Sequence, residues 1–327
     1  MQLSLFDAPF IGYNKAIDAL LKLDCSEARK RLKRWQKSFP GHRDLSIEFG
    51  FIDFLCQNQT MHALENDPLS ALHLWDKDWE KVFEDQQDKR KLLGLFRKSY
   101  FKKIGETILA LEKKGEEIQL ADLMLCLLRG EYYSDVIRVG KRLAASEKAG
   151  GRVLGYLADA LFQTGQVTDA MSTYLAAAIS DPDDIDIKAL CHEEVKRTLT
   201  APHQLIEEFL GEAITFTQKP IAQWAAPTGL LTGLFKTPRP SREWQPRDLY
   251  SHLKKGRERN CHAGKPGTTF ARCIILSEQG LYILSEHGID IAEVRATMKE
   301  IHETLFSIYM KKMGSSTRQQ CLSGFQT

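Results

Sequence analysis

The chain has 327 residues, 43% of them hydrophobic and 27% charged, with a formal net charge of +2. That length allows two domains, or one helical stack with an appendage, and the composition fits a globular protein. The near-neutral balance gives no global field toward nucleic acid or membrane, and the longest uncharged stretch, Pro220 to Phe235, is broken by Pro227, Gly229 and Gly233 and is too short for a membrane span of about 20 residues.

The opening MQLSLFDAPF has no basic region and carries Asp7, so the expectation is no secretory signal and a cytoplasmic protein. Seven cysteines (Cys25, Cys56, Cys126, Cys191, Cys261, Cys273 and Cys321) form an odd set without C-x-x-C spacing. They read as reduced thiols, several of them small core hydrophobes.

In chain order, residues 1–8 precede the first predicted helix. From about Phe10 to Pro40 the apolar spacing predicts a helical hairpin, with Ser26 as N-cap of its second helix, Pro40 as its stop and Glu27, Arg29, Lys30, Lys33 and Lys37 on its solvated face. Between about 45 and 150 the pattern is helical but degenerate. DPLSALHLW offers Ala71 and Trp75 as packing residues, and LRGEYYSDVIRVGKRL offers Gly130 as a turn with Val136, Ile137 and Leu143 on the buried face.

Gly151 to Asp184 carries the clearest pattern. Leu154, Leu157, Ala158 and Leu161 recur at helical spacing, Gly165 interrupts, Ala170, Tyr174, Ala177 and Ala178 resume it, and Pro182 ends it. Ala16, Ala28 and Pro40 stand twelve residues apart, as do Ala158, Ala170 and Pro182. On these residues the sequence resembles the tetratricopeptide repeat (TPR) family. The family's small helix A residue falls on Ala158, its turn glycine on Gly165, and its helix B alanine on Ala170. Its large residue falls on Tyr174, its second alanine on Ala177 and its proline on Pro182; Leu154 stands where the usual tryptophan would be. The resemblance implies an all-α, TPR-like stack of hairpins over 9–218, with a groove that holds a peptide or partner protein.

After Asp184 the helical period continues to about Gln218, with Pro202 between two helices. Six of the eleven prolines then fall between Pro220 and Gly267, which predicts an irregular, basic linker over 219–267 with one short helix near Pro246–Arg257. Thr268–His287 and Ile291–Met313 read as a closing helical pair over 268–313. Gly288 ends the first, Asp290 with Glu293 opens the second, and Val294, Met298, Ile301, Leu305 and Ile308 form one seam. Residues 314–327 read as a polar tail.

Two stretches point to partners. Gln2-Leu3-Ser4-Leu5-Phe6 resembles the short peptide by which many bacterial replication and repair proteins bind the DNA sliding clamp. That resemblance implies a glutamine at the rim of a pocket and apolar anchors within it. The alternative is that Leu3, Leu5 and Phe6 cover the exposed end of the helical stack. From Lys236 to Arg272 ten Lys/Arg stand against three acidic residues, with Trp244, Tyr250 and Phe270 interleaved. Lys254, Lys255, Arg257 and Arg259 are the candidate nucleic-acid contacts there; a solvated linker with its aromatics packed away is the other reading.

Signals for chemistry are weak. In Ala263-Gly264-Lys265-Pro266-Gly267-Thr268-Thr269, Pro266 follows the lysine and Arg259 stands where a phosphate loop needs glycine. Cys191-His192-Glu193-Glu194 lacks the second histidine of a zinc helix, and Cys261, His262 and Cys273 lack tetrahedral spacing. The sequence thus predicts no metal, no cofactor and no enzyme. It leaves three functional readings: an interaction scaffold, a clamp-tethered replication or repair protein, and, third, an enzyme whose site lies between the repeats and the C-terminal helices.

Overall fold

Helix follows helix along the described residues. The computed structural model describes residues 4–79, 90–114, 120–145, 149–239, 244–258, 265–279 and 281–323, with side chains described from residue 9 to residue 314 apart from 58, 90, 112, 113, 255–258 and 281–283. Among the described residues there are eighteen α-helices and no strand, so the chain is all-α. It divides into two compact units, Met1–Val136 and Ile137–Thr327. The division falls inside a helix, at a different place from the expected boundary near 218.

The first unit contains α1 (Ser4–Leu21), α2 (Cys25–Ser38), α3 (Ser46–Cys56), α4 (Asn58–Asn66), α5 (Pro68–Asp78), α6 (Arg90–Lys113) and α7 (Leu120–Arg129). α1 packs along α2, and α6 packs on α1, α4, α5 and α7. Ala16, Leu20, Ala28 and Leu32 are wholly buried where α1 meets α2. The N-cap of α2 is Asp24 rather than Ser26: the Asp24 carboxylate accepts from the Glu27 N–H at 3.0 Å, and the Ser26 hydroxyl only donates back to it. A carboxylate at that place also suits the positive end of the helix dipole. Tyr13 on α1 donates its hydroxyl to the buried carboxylate of Glu48 on α3, and the Arg43 guanidinium lies 4.5 Å over the Tyr13 ring. Further along, Phe51, Phe54, Trp75, Trp79, Phe96, Tyr100 and Phe101 form one aromatic core.

Next come α8 (Tyr133–Ala145), α9 (Gly151–Gln163) and α10 (Val167–Ser180). The same turn recurs in the chain at Leu23, Glu131 and Gly165, each with positive φ (61°, 61° and 79°). In each, the left-handed residue donates its N–H three residues back and the next residue donates five residues back, the Schellman closure of a helix. Seven residues before each turn stand Ala16, Met124 and Ala158; five after it stand Ala28, Val136 and Ala170; all six are wholly buried. The middle turn was expected at Gly130, which placed Asp135 at the alanine position. With Glu131 as the left-handed residue the register moves by one and Val136 fills that position. Leu23 and Glu131 adopt this conformation without being glycine, so glycine was an incomplete guide to the turns.

α9 and α10 pack against each other with Ala158, Ala160, Ala170, Ala177 and Ala178 between them. Pro182 is buried beyond the end of α10, whereas its counterpart Pro40 is exposed in a turn and stops its helix without packing. The segment after α10 doubles back on the start of α9. The Asp184 carboxylate accepts from the Arg152 N–H at 3.0 Å and pairs with its guanidinium at 3.3 Å. Gly151 lies so close to this segment that an added Cβ would stand 1.9 Å from the Asp181 carbonyl oxygen. Gly151→Ala is therefore expected to destabilise the protein by about 1–3 kcal/mol, because backbone must move on backbone. A thermal melt checks it; an unchanged midpoint contradicts the close approach.

The rest of the second unit comprises α11 (Glu193–Thr200), α12 (Pro202–Leu210), α13 (Ala225–Thr232), α14 (Pro246–Glu258), α15 (Pro266–Glu278), α16 (Leu281–Glu286), α17 (Ile291–Ile301) and α18 (Glu303–Ser323). The stretch 219–267, expected as an irregular linker, includes a 3-10 turn (Ile221–Trp224), α13, α14 and the start of α15. Trp224, Ala225, Ala226, Leu231 and Phe235 in it are core residues. Pro246 and Pro266 open α14 and α15 and Pro227 sits in the first turn of α13, where a missing N–H costs nothing. α15 is the central helix: it packs on α10, α13, α14 and α17, and Phe270, Ala271, Cys273, Ile274, Ile275 and Leu276 are buried all round it.

The expected closing pair is cut into four helices. Gly288 (φ 62°) makes the Schellman turn after α16, and the Asp290 side chain caps α17, accepting from the Ala292 N–H. His302 breaks the second expected helix: its ring stacks against Phe216 and Trp224, and its Nδ1 accepts from the Leu305 N–H to start α18. The seam survives the break, with Val294, Met298 and Leu305 wholly buried. The backbone of 314–323 continues α18 instead of forming a tail. Lys312 donates to the carbonyls of Leu230 and Leu231, both at 2.9 Å, and so neutralises the C-terminal end of α13.

Candidate ligand and partner sites

Two concavities of the second unit bring chemistry-bearing side chains together. The larger, about 720 Å³, is lined by Ala144 and Ala145 of α8, Ala149, Leu154 of α9, Ala176, Ile179 and Ser180 of α10, Trp244, Asp248, Leu249 and His252 of α14 and its approach, and Arg272 of α15. Four alanines make the room. Asp248 and His252 stand one helical turn apart on α14, and both are exposed. The backbone carbonyl of the buried Trp244 accepts from the Gln279 amide at 3.3 Å, which fixes the indole at the cavity wall. Burial pulls the Arg272 guanidinium below its usual pKa. Among the described residues no carboxylate lies within 4.0 Å of it.

The second concavity, about 370 Å³, lies among α10, α11, α12 and the end of α13. Val167, Met171, Leu205, Phe209 and Leu234 line it, with His192, Glu194 and Thr232 as polar groups. Val167 is 49% and Phe209 52% exposed, two of the few large apolar side chains left in solvent. His192 is held: its Nδ1 accepts from the Val195 N–H at 3.4 Å and its ring packs 4.7 Å from Phe162.

Beneath that groove sits a buried carboxylate. Asp159 of α9 is 1% exposed. It accepts from the Tyr174 hydroxyl of α10, from the Cys191 N–H at 3.1 Å and from the Cys191 thiol at 3.2 Å. Burial raises its pKa above the ordinary aspartate value, against the three donors, which lower it. Burial, then the Asp159 charge, pushes the Cys191 thiol up to about 11, so it is a protonated donor and not a nucleophile. Cys191-His192, the pair with no metal partner in the sequence, thus closes a knot across the hairpin. Periodicity gave Asp159 no role; the signal available was Tyr174, a buried hydroxyl on the facing helix that needs an acceptor.

Of the predicted clamp-like peptide, Gln2 and Leu3 lie outside the described residues, while Ser4, Leu5 and Phe6 form the first turn of α1 with side chains outside the description. Of the four basic candidates, Lys254 is exposed with its ammonium 4.7 Å over the Tyr250 ring; Lys255 and Arg257 are described by backbone alone, and Arg259 lies outside. The aromatics of that stretch follow the second of the two readings, with the rings packed away. Phe270 is wholly buried, Tyr250 is 8% exposed with its hydroxyl on Glu293, and Trp244 is 6% exposed at the cavity wall, so none of these rings stands out in solvent for a strand of unpaired bases. The phosphate-loop-like segment is closed as well: Gln223 Oε1 accepts from the Gly267 N–H, and a Cβ on Gly267 would lie 2.4 Å from the Gln223 carbonyl oxygen. Among the described residues the cysteines are unpaired, with Cys126 and Cys273 buried, and no group of three or more His, Cys, Asp or Glu could hold a metal ion. No described helix is long and apolar enough to cross a membrane.

The chain matches no protein-family model, no curated protein and no solved structure.

Proposed function

We propose that this protein is a non-enzymatic interaction scaffold of TPR-like helical hairpins that holds a segment of a partner protein in the groove between α10 and α12. The observation that carries this reading is the pair Val167 on α10 and Phe209 on α12, both exposed and both lining the groove with Met171, Leu205 and Leu234. Large apolar side chains kept in water at a concave place are what a partner segment covers. A groove of about 370 Å³ takes two bulky side chains, and Glu194 at its edge suits a basic residue beside them. The TPR-like reading is supported by the shared Schellman turns and by the 34 residues between Glu131 and Gly165, the length of that family's repeat.

The test is affinity capture with the intact chain and with Val167→Asp/Phe209→Asp, followed by titration of the captured partner in purified form. Each lost anchor is worth about 1.5–3 kcal/mol, so the double variant is expected to bind at least about tenfold more weakly. Equal affinity in a variant that melts like the native protein ends the reading. A second reading, a sliding-clamp-associated protein of bacterial DNA replication or repair, has one observation in its favour: Gln2 to Phe6 match the clamp-binding pattern at all five positions. A pull-down with purified sliding clamp decides it, and retained capture after Leu5→Ala/Phe6→Ala removes it.

A further inference from the structure

α15 is a core helix, and between Lys265 and Glu278 its single charge is Arg272. Arg272 is partly buried, and a guanidinium in a poorly solvated place is normally matched by a carboxylate, because an unmatched charge there is costly. Among the described residues none is close enough, although Asp248 lines the same cavity. The guanidinium thus lines the cavity without a carboxylate partner among the described residues. That fork is planar and matches the two oxygens of a carboxylate or phosphate. Around it stand an indole, a floor of alanine methyl groups, and on the solvent side an aspartate and a histidine one turn apart. A volume of about 720 Å³ falls in the range that holds small organic ligands.

We propose that this cavity binds a small organic anion, seating its carboxylate or phosphate on Arg272 and its planar body against Trp244 and the alanine wall. Asp248 and His252 face the opposite end of the ligand. Asp248 accepts from an N–H or O–H there, and its charge disfavours ligands with a second anionic group at that end. The site is separate from the partner groove, so either assignment can fail without the other.

The experiment is calorimetric titration of the full chain with phenyl phosphate, benzoate, inorganic phosphate and neutral benzamide. Phenyl phosphate or benzoate is expected to bind one to one with a dissociation constant on the order of 1 mM, and benzamide to bind far more weakly. Tighter phenyl phosphate assigns a phosphorylated ligand; tighter benzoate assigns a carboxylate. Arg272→Gln is expected to weaken the anion by about 10- to 100-fold. Ala176→Leu, which fills the cavity and keeps the cation, is expected to abolish binding. Ligand-free Arg272→Met is expected to melt at or above the native midpoint, since it removes an uncompensated charge. The proposal is overturned if neither aromatic anion saturates, if Arg272→Gln or Ala176→Leu binds as the native chain does, or if Arg272→Met melts well below it.

Discussion

Trp75→Ala is expected to cost about 3–5 kcal/mol, the largest effect of any single truncation considered, and to unfold the first unit under conditions where the native protein survives. Trp75 is 1% exposed and touches rings on several helices. Its centroid lies 4.9 Å from Tyr100 and 5.2 Å from Phe101, both on α6, and 6.2 Å from Trp79 at the end of α5. Phe51 of α3 in turn stacks on Phe96 at 4.5 Å, so removing the indole leaves a hole bordered by three helices. Those helices are not free to collapse into it. The Tyr100 hydroxyl is tied to the Ala71 carbonyl at 2.8 Å, and Thr107 to the Leu64 carbonyl at 2.7 Å. Trp75→Phe, which keeps most of the volume, is expected to recover more than half of the loss. Chemical denaturation followed separately by fluorescence and by circular dichroism measures both; a loss below about 1 kcal/mol for the alanine variant would mean the cluster is not a packed core.

The hairpins were legible because their physics is local. Small residues at helical spacing let two backbones approach, so Ala16 with Ala28 and Ala158 with Ala170 declared their contacts in advance. The turn at Glu131 was read one residue early because a left-handed residue is usually glycine, and there Gly130 stands beside the residue that takes the conformation. The stretch after Pro220 was misread for a related reason. Proline density argues against a long helix, but short helices that begin on proline satisfy the same constraint and still bury Trp224 and Phe235. His302 could not be anticipated as a break, since the rings that hold it, Phe216 and Trp224, lie far away in sequence. The candidate sites were the least legible part. Arg272 was counted among the ten basic residues from Lys236 to Arg272, and nothing local in the sequence marks it as the one that lines this cavity. Val167 and Phe209 were likewise ordinary members of two helices until the fold left both uncovered in one groove.

Asp159→Ala is expected to cost roughly 3 kcal/mol or more, because it strands the buried Tyr174 hydroxyl and the Cys191 N–H, both of which lose their acceptor. Asp159→Asn is expected to cost less, since the amide oxygen still accepts from Tyr174, while its NH₂ group meets the Cys191 N–H as donor to donor. The pH dependence has a definite sign. Burial holds the folded pKa of Asp159 above the ordinary aspartate value, so between the unfolded and folded values the native state binds more protons than the unfolded chain. Stability contributed by this group is therefore full below the unfolded pKa and falls as pH rises through the folded one. The native protein measured against Asp159→Asn across this range should show that fall, and the asparagine variant should lack it. A difference that instead grows with rising pH would mean that the three donors outweigh burial and hold the carboxylate ionised. In either case the cost of Asp159→Ala should persist, because it rests on unpaired donors and not on charge. Tyr174→Phe separates the two contributions. It removes one donor and leaves Asp159 the Cys191 N–H and thiol, so it is expected to cost only about 1 kcal/mol and to raise the folded pKa of Asp159 further, which steepens the loss of stability with pH.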